Sequence, residues 1–308
     1  MISPIALFIY NRPEHTKQTL DSLAKNTLAN QSTLYVFADG PRKDVNSEKV
    51  IKTRKVVDYY KGKFKKVIIN NQETNIGLAN SIITGVSKVL ETHKTVIVLE
   101  DDLVTHPSFL QFMNTMLKRY ETEKNIFSIS GFGFNSQLLK IPANYQFDVF
   151  FTSRPSSWGW ATWQNRWNKV DWQVTDFDKF KNNLTEIKNF NQGGNDLFSM
   201  LEMQMSGLIN SWAIRFTFHL FKNQGYCLYP IKSLVDNIGQ DGSGEHSSKN
   251  KKYANDLNYK FTERMKLPNK VVLDKEILNN FKEIYRTSFW NVFKGKIKRK
   301  LKKYLLNG

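Results

Sequence analysis

Short apolar runs alternate with stretches of helical periodicity over the first 131 residues, and this alternation limits the fold more than any other feature of the chain. The runs of strand length are 5–10, 33–38, 67–70, 96–99 and 127–130. The helical stretches between them are 14–25, 46–60, 78–91 and 108–123. Strands that alternate with helices pair in parallel, because each crossover helix packs on a face of the sheet. We predict an α/β fold with a mostly parallel sheet flanked by helices.

The fourth apolar run ends in three consecutive acidic residues. Residues 95–99 are mostly β-branched, and Glu100, Asp101 and Asp102 follow directly. Ligands of open α/β sheets bind at the carboxyl ends of the strands, so these side chains are expected in a ligand crevice. Adjacent carboxylates repel one another, and a divalent metal ion is the simplest compensation. A solvated acidic turn is the alternative interpretation.

Polar residues also follow the first three predicted strands and should reach the same edge of the sheet. Asp39 lies in an Asp-Gly-Pro sequence that is also an ordinary turn signal. A helix beginning near Gly77 has free backbone N–H groups that can hold an anion, although Asn and Gly are also common caps. The candidate residues at these strand ends are Asn11, Arg12, Asp39, Asn75, Gly77 and Asn80.

This set of strand ends resembles the nucleotide-sugar-dependent glycosyltransferases of the GT-A (Rossmann-like) fold. The sequence of residues 98–103, Val-Leu-Glu-Asp-Asp-Leu, with Pro-Ser-Phe at 107–109, resembles the N-acetylglucosaminyltransferase I-like branch. The resemblance implies that Asp102 binds Mn²⁺ or Mg²⁺ at the diphosphate of the sugar donor. It also implies that Glu100 and Asp101 lie toward the ribose and the sugar, and that Arg12 and Asp39 lie at the nucleobase end.

Aromatic residues are concentrated between residues 147 and 172, around the sequence Trp158-Gly159-Trp160. Aromatic faces suit the apolar C–H surfaces of sugar rings, and core packing is the alternative for each ring. The resembled family has a Gly-Trp element here that borders the acceptor site. Trp158, Gly159 and Trp160 are therefore the predicted acceptor-binding residues.

The resemblance implies an inverting displacement in which a carboxylate takes the proton of the acceptor hydroxyl. The family places this carboxylate just before a Trp in a late helix, where this chain has Asn210-Ser211-Trp212. Since asparagine cannot accept the proton, Glu202 and Asp241 are the predicted substitutes. The glycine-rich segment 237–246 is expected to act as a lid. His246 in it is the candidate to complete the metal shell, or is simply a surface histidine.

The C-terminal segment from residue 274 is predicted to be helical and becomes strongly basic beyond residue 293, with an apolar stripe on one face. Such a helix suits an anionic membrane surface, or it docks on the protein's own core. Forty-five Lys and Arg residues against 28 acidic ones, net +17, favour an anionic partner. The sequence has one cysteine, a first segment without signal-peptide character and no long apolar stretch, so we expect a cytoplasmic protein.

We predict a donor-binding half at 1–131, an acceptor-binding and catalytic half of the same domain at 132–272, and a helical extension at 273–308. The predicted function is metal-dependent transfer of a hexosyl or N-acetylhexosaminyl group from a nucleotide-diphosphate sugar. The acceptor would be a glycan or a lipid-linked molecule, in bacterial surface polysaccharide synthesis. The alternatives are a nucleotidyltransferase with the same metal site, and a nucleic-acid- or membrane-binding protein without catalysis.

Overall fold

The structure is a computed structural model that describes residues 2–42, 47–242, 251–262 and 264–286. Its strands are β1 (Ile5–Ile9), β2 (Thr33–Ala38), β3 (Lys66–Asn71), β4 (Thr95–Glu100), β5 (Leu103–Thr105), β6 (Ile126–Ser130), β7 (Val149–Thr152), β8 (Trp160–Trp163), β9 (Tyr226–Pro230) and β10 (Val235–Asn237). Its α-helices are α1 (Pro13–Ala24), α2 (Ser47–Asp58), α3 (Leu78–Leu90), α4 (Phe109–Arg119), α5 (Gln164–Trp167), α6 (Phe177–Phe180), α7 (Leu184–Phe190), α8 (Leu197–Met205), α9 (Trp212–Lys222) and α10 (Lys275–Ile284).

Eight strands form one sheet in the order β3-β2-β1-β4-β8-β6-β9-β7. β1 is parallel to β2 and to β4, and β2 is parallel to β3. The chain therefore builds the sheet outward from β1 in one direction and then returns to the other side of β1 with β4. This reversal makes the β1/β4 boundary the topological switch point, where α/β sheets bind ligands. The predicted mostly parallel α/β fold is confirmed.

Two strands run against the others, and sequence reasoning did not predict either. β8 lies between β4 and β6 and is antiparallel to both, while β7 is antiparallel to β9 at the sheet edge. All four residues of β8 are buried. A strand buried on both faces lacks the apolar–polar alternation that identifies a strand in a sequence. The tryptophans at its two ends therefore suggested an aromatic surface instead of a strand.

Both faces of the sheet are covered by core side chains, because successive residues of a strand point to opposite faces. Leu7 and Leu99 belong to one cluster, together with residues of α1 and α4. Phe8 and Val98 belong to the cluster on the other face, together with residues of α3 and α9. This double covering leaves the carboxyl ends of β1, β2 and β4 as the part of these strands that can meet a ligand.

A second sheet of two strands brings a distant segment to the acidic residues. β5 begins at Leu103, directly after Asp102, and pairs antiparallel with β10, with Asn237 opposite Leu103. Residues 238–241, which follow β10, therefore lie next to the end of β4. These residues are part of the segment 237–246 that was predicted to act as a lid. The pairing of β5 with β10 was not predicted.

Two buried residues of α10, Ile277 and Phe281, pack this helix against the core of the protein. Asp274 caps its first turn by accepting a hydrogen bond from the backbone N–H of Ile277 at 2.9 Å. The basic apolar-striped part of the predicted tail lies outside the described residues. Within the described ranges, every helix is too short or too polar to span a membrane.

Candidate functional site

The three carboxylates after β4 are crowded and largely withdrawn from water. Asp101 is 8% exposed, and its Oδ2 accepts a hydrogen bond from the N–H of Tyr10 at 3.2 Å. Burial, with the charge of Asp102 adding to it, raises the pKa of Asp101 to about 7. Burial and the two neighbouring carboxylates also raise the pKa of Glu100 well above its usual range. Ionisation of this cluster is therefore costly without a nearby cation.

One cation of the protein lies against this cluster. The Nη1 of Arg12 donates to Asp102 Oδ2 at 2.7 Å and lies 3.8 Å from Asp101 Oδ1. Its Nη2 donates to the carbonyl of Gly239 at 3.3 Å and lies 3.9 Å from Asp241 Oδ1. Arg12 thus connects the end of β4 to the segment that follows β10. It precedes Pro13, the first residue of α1, so its position depends on the start of that helix.

The segment 238–241 is packed directly on Asp102. The backbone N–H of Ile238 donates to the carbonyl of Asp102 at 2.9 Å. A Cβ atom at Gly239 would lie 2.0 Å from Asp102 Oδ2, so only glycine fits there without displacing the carboxylate. His15 Nε2 lies 3.2 Å from Asp241 Oδ2. Sequence analysis missed His15, whose only signal is its place in the first turn of the helix that follows Arg12.

A cleft of about 490 Å³, open to solvent, lies beside the acidic residues between the ends of β1 and β2 and the start of α3. We call it the Asp39 cleft. Its walls include the predicted donor-site residues Asp39, Asn75, Gly77, Glu100 and Asp101. It is also lined by residues that were not assigned to the donor site, namely Phe8, Ile9, Tyr10, Phe37, Arg42, Leu78 and Ser81.

Asp39 organises one wall of this cleft. Its Oδ1 accepts the backbone N–H groups of Gly40 at 2.8 Å and Ile76 at 2.9 Å. Its Oδ2 accepts the side-chain amide of Asn75 and the N–H of Gly77, each at 3.0 Å. Four donors on one carboxylate explain why Asp39 can be only 6% exposed while remaining satisfied. Gly77 has a φ of +78°, which favours glycine at the start of α3.

The two remaining strand-end candidates lie at the margins of this region. Asn80 donates its side-chain amide to the carbonyl of Ile76 at 2.9 Å, which stabilises the first turn of α3 from outside the cleft. Asn11 is half-buried between β1 and Arg12. Ten residues were assigned to the donor and its metal, and one of them, His246, lies outside the described residues. Of the other nine, the structure brings seven to the Asp39 cleft or to Arg12, counting Arg12 itself and Asp102.

A second cavity, of about 820 Å³ and open to solvent, borders the segment 238–241. We call it the Trp158 cavity. Gln240 lines it, between Gly239 on Asp102 and Asp241 beside Arg12. Aromatic rings form much of its wall, and Trp158 packs edge-on against Phe132 with ring centroids 4.8 Å apart. Its other lining residues are Phe134, Arg154, Pro155, Ser156, Ser157, Leu197, Met200, Ala213, Ile214, Thr217, Tyr253 and Tyr285.

The three predicted acceptor residues have different positions. Trp158 lines the cavity, as stated above. Gly159 has a φ of +60°, and a Cβ there would lie 2.7 Å from a methyl group of Val235, so it permits close packing of β8 on β10. Trp160 is 1% exposed and stacks on Trp212 in the core, with ring centroids 4.8 Å apart. Its ring therefore lies in the packing between the sheet and α9, away from the cavity.

Arg154 is fixed in the wall of the Trp158 cavity. Its guanidinium makes a bidentate pair with Asp196, with N–O distances of 2.7 and 3.0 Å. The ring of Tyr285, the residue after α10, lies over the guanidinium at 3.6 Å. Planar guanidinium groups favour this combination of a carboxylate and an aromatic face. The pair thus joins β7, α8 and α10 around the cavity.

The two predicted bases have different surroundings. The side chain of Asp241 is 46% exposed and, through Arg12, lies one contact away from Asp102. Glu202 is half-buried on α8, two residues beyond Met200 of the cavity wall. His246 lies outside the described residues.

The donor set fits a divalent cation that also binds substrate phosphates. No group of three or more His, Cys, Asp or Glu side chains in the described ranges has the arrangement of a complete metal site. Mg²⁺ and similar cations commonly use only one or two carboxylates when phosphates and water supply the rest. Asp102 is 18% exposed and meets Arg12 through Oδ2, which leaves Oδ1 for a cation. The raised pKa values of Glu100 and Asp101 indicate the same need for positive charge.

Comparison with known proteins found no matching family model and no matching curated protein. Among solved structures, the chain is similar to the mannosyltransferase PcManGT from Pyrobaculum calidifontis in complex with GDP-Man and Mn²⁺. The identity is 10% over 54% of this chain and 46% of that chain, with a TM-score of 0.40. It is also similar to S. aureus TarS, at 12% identity over 77% of this chain and 37% of that chain, with a TM-score of 0.45. The chain thus spans less than half the length of either protein.

Proposed function

We propose that this protein is a metal-dependent glycosyltransferase that uses a nucleotide-diphosphate sugar. One observation carries the proposal. An acidic cluster at the topological switch point lines an open cleft through Asp101 and meets the segment 238–241 through Asp102, and Gln240 of that segment lines an aromatic cavity. A transferase of this kind needs a donor site and an acceptor site that meet at one group of charges. The resemblance of the sequence around Glu100, Asp101 and Asp102 to GT-A enzymes supports the same assignment.

In this proposal the nucleotide occupies the Asp39 cleft and its diphosphate extends toward Asp102 and Arg12. A divalent cation bound by Asp102 would act as a Lewis acid on the diphosphate leaving group. Arg12 contributes a second, permanent positive charge, because its guanidinium already lies 2.7 Å from Asp102. Mn²⁺ is the expected ion and Mg²⁺ the alternative.

We assign the role of general base to Asp241. In an inverting transfer, the acceptor hydroxyl attacks the anomeric carbon from the side opposite the diphosphate and loses its proton to a carboxylate. Asp241 is next to Gln240 of the Trp158 cavity and close to Arg12, so it can meet a hydroxyl that approaches from the cavity. His15, at 3.2 Å, would hold its carboxylate in one orientation. Glu202 is the second candidate.

The Trp158 cavity supports an acceptor that carries sugar rings. Trp158, Phe132 and Tyr253 offer apolar faces, and Ser156, Ser157 and Thr217 line the same space with hydroxyl groups. Sugar recognition needs both kinds of surface. A lipid-linked acceptor, a role in bacterial surface polysaccharide synthesis and attachment of the basic C-terminal segment to a membrane are further parts of the proposal.

The test is binding and turnover by the wild type and three variants, Asp102→Asn, Asp241→Asn and Glu202→Gln. Nucleotide diphosphates with and without Mn²⁺ are screened by thermal unfolding, because a ligand of the native state raises the midpoint. We expect one nucleotide to shift the midpoint only when Mn²⁺ is present, and we expect Asp102→Asn to abolish that Mn²⁺-dependent shift. Asp241→Asn should keep nucleotide binding and lose about 100-fold or more in transfer, the range for a general base.

The anomeric configuration of the product tests inversion, and a retained configuration would contradict it. Full activity in Asp241→Asn together with loss of activity in Glu202→Gln would identify Glu202, on α8, as the general base. If the wild type releases pyrophosphate from a nucleoside triphosphate and forms a nucleotide sugar, the protein is a nucleotidyltransferase. If it responds to none of the nucleotides, the glycosyltransferase proposal fails.

A further inference from the structure

Three large apolar side chains are exposed to water beside the edge of the sheet that ends in β7. Phe147 lies two residues before that strand and is 36% exposed. Val272 and Leu273, just before α10, are 56% and 37% exposed. We call these three residues the β7-edge patch. Exposed apolar residues that lie together commonly mark a contact surface, because burying them on a partner is favourable.

Contacts made by residues 145–148 bring the parts of this patch together. The ring of Tyr145 packs edge-on against Phe147, with ring centroids 5.7 Å apart. Burial, with the charge of Asp274 adding to it, raises the pKa of Tyr145 to about 12, so the start of α10 lies near the same ring. The N–H of Asp148 donates to the carbonyl of Lys266 at 2.9 Å, and its Oδ2 accepts the N–H of Lys266 at 2.6 Å. Phe147 is thereby fixed beside the chain that leads into α10.

Basic side chains outnumber the described acidic ones around the β7-edge patch. Six exposed basic residues lie next to Asp148 or in the segment that carries Val272, namely Lys232, Lys260, Arg264, Lys266, Lys270 and Lys275. The described acidic residues of this region are Asp148, Asp274 and Glu276. The first two already accept backbone N–H groups. The patch therefore combines apolar surface with positive charge.

This combination favours an anionic membrane over the other possible occupants. Residues 287–308 contain six lysines, one arginine and no acidic residue, so they and the basic surroundings of the patch repel each other. A second copy of the chain, with its net charge of +17, is disfavoured for the same reason. Nucleic acid would bind the lysines and leave the apolar side chains without a partner. A membrane interface accommodates both, because apolar groups enter the acyl boundary while lysines stay at the anionic headgroups.

We infer that the β7-edge patch and the lysines around it form a membrane-contact surface that binds anionic lipid. The inference goes beyond attachment through the C-terminal segment, because it assigns a membrane contact to the folded part of the protein. α10 begins beside the patch, and Tyr285 after its end lines the Trp158 cavity. Ten helical residues span about 15 Å. A membrane-anchored acceptor would then have its head group within reach of the cavity, and this consequence alone rests on the proposed function.

The experiment attaches an environment-sensitive nitrobenzoxadiazole probe to the full-length protein at Val272→Cys or at the control Ile51→Cys. The natural Cys227 is fully buried, so the introduced cysteine is the one that is labelled. Ile51 is also β-branched and is 49% exposed. It lies on α2, which connects β2 to β3 at the opposite edge of the sheet. The vesicles are phosphatidylcholine with or without about one-third phosphatidylglycerol, whose negative charge attracts lysines.

We expect anionic vesicles to shift the emission of the probe at position 272 to the blue and to brighten it several-fold, because it enters a less polar environment. The probe at position 51 should not change, and neutral vesicles should change neither probe. In sedimentation with anionic vesicles, unlabelled Val272→Asp should bind about fivefold or more weakly than the wild type. It removes apolar contact area and adds a negative charge at the lipid surface. Ile51→Asp should bind like the wild type.

Four results would overturn the inference. If the protein sediments with anionic vesicles and the probe at position 272 is unchanged, the contact lies elsewhere, and attachment through the C-terminal segment stands. Equal changes at positions 272 and 51 would indicate non-specific adsorption. Blue emission at position 272 without vesicles would show that the patch is covered by protein, by a second copy if the emission depends on protein concentration. No binding to vesicles would overturn the inference and the membrane part of the proposed function together, whereas nucleotide binding would still decide the glycosyltransferase proposal.

Discussion

Gly239→Ala tests the proposed geometry at Asp102 with the addition of a single methyl group. The φ of Gly239 lies outside the left-handed region, so an alanine can adopt the same backbone conformation. The new Cβ would instead lie 2.0 Å from Asp102 Oδ2 and 2.7 Å from its Cγ. Real Cβ atoms almost never come within 3.0 Å of another heavy atom, so the carboxylate or the segment 238–241 must move.

The required displacement sets the expected magnitude. Restoring the separation from 2.0 to 3.0 Å requires Asp102 Oδ2 and the segment 238–241 to move apart by at least 1.0 Å, and Arg12, which is bonded to both, must shift or lose a bond. A misplacement of about 1 Å in a catalytic site can reduce activity by about 100-fold. The stability cost of overpacking is about 1–3 kcal/mol, which a folded domain can tolerate. We therefore expect a folded protein with severely reduced metal-dependent activity.

The assay compares wild type, Gly239→Ala and Gly62→Ala for melting temperature, Mn²⁺-dependent nucleotide binding and transfer rate. A Cβ at Gly62 would meet no atom within 4 Å, so this variant controls for the change from glycine to alanine. We expect a small change in melting temperature for both variants and loss of metal-dependent binding in Gly239→Ala alone. If Gly239→Ala binds metal and nucleotide like the wild type, Asp102 is not the metal ligand in this geometry.

Two further predictions concern stability. Asp196→Ala should lower the free energy of unfolding by about 3–5 kcal/mol in urea denaturation, because it leaves the guanidinium of Arg154 buried without its carboxylate. The double variant Arg154→Met/Asp196→Leu should be less affected, and an equal loss would show that the ion pair is not the cause. His219 is buried against Phe127, and burial lowers its pKa below 6.5, so the unfolded chain takes up its proton first and stability falls as the pH drops below 6.5. His219→Phe should reduce that fall between pH 7.5 and 5, and an unchanged pH dependence would contradict the assignment.

The first half of the chain could be predicted from the sequence because its signals are local. β2 was predicted at 33–38, where it lies, and β4 differs from the predicted 96–99 by one residue at each end. The chain leaves β1 through Asn11 and Pro13 and leaves β2 through Gly40 and Pro41, whose backbone preferences mark these boundaries. Since parallel strands end at one sheet edge, the meeting of Arg12 with Asp102 also followed from strand order, although their separation in sequence is 90 residues.

The second half was harder to predict because its contacts depend on pairing between distant segments. β8 is inserted between β4 and β6 against their direction, and β10 pairs with β5 across about 130 residues of sequence. Neither pairing produces a periodic pattern of apolar residues within a short stretch of the sequence. The same limit explains the missed site residues. His15 and Ser81 are ordinary helix residues in the sequence, and only the tertiary structure brings them to Asp241 and the Asp39 cleft.

The charges around Asp102 indicate that a bound metal ion and a bound diphosphate would each stabilise this site. Glu100 and Asp101 ionise reluctantly in the protein alone, since burial raises the pKa of both. The Nη1 of Arg12 lies against the acidic cluster and its Nη2 lies against the segment 238–241. One guanidinium is therefore shared by the carboxylates of Asp101, Asp102 and Asp241. A divalent cation would supply the missing positive charge, and the diphosphate would in turn compensate Arg12. Metal and nucleotide should therefore each bind weakly alone and strengthen one another, as linked equilibria require.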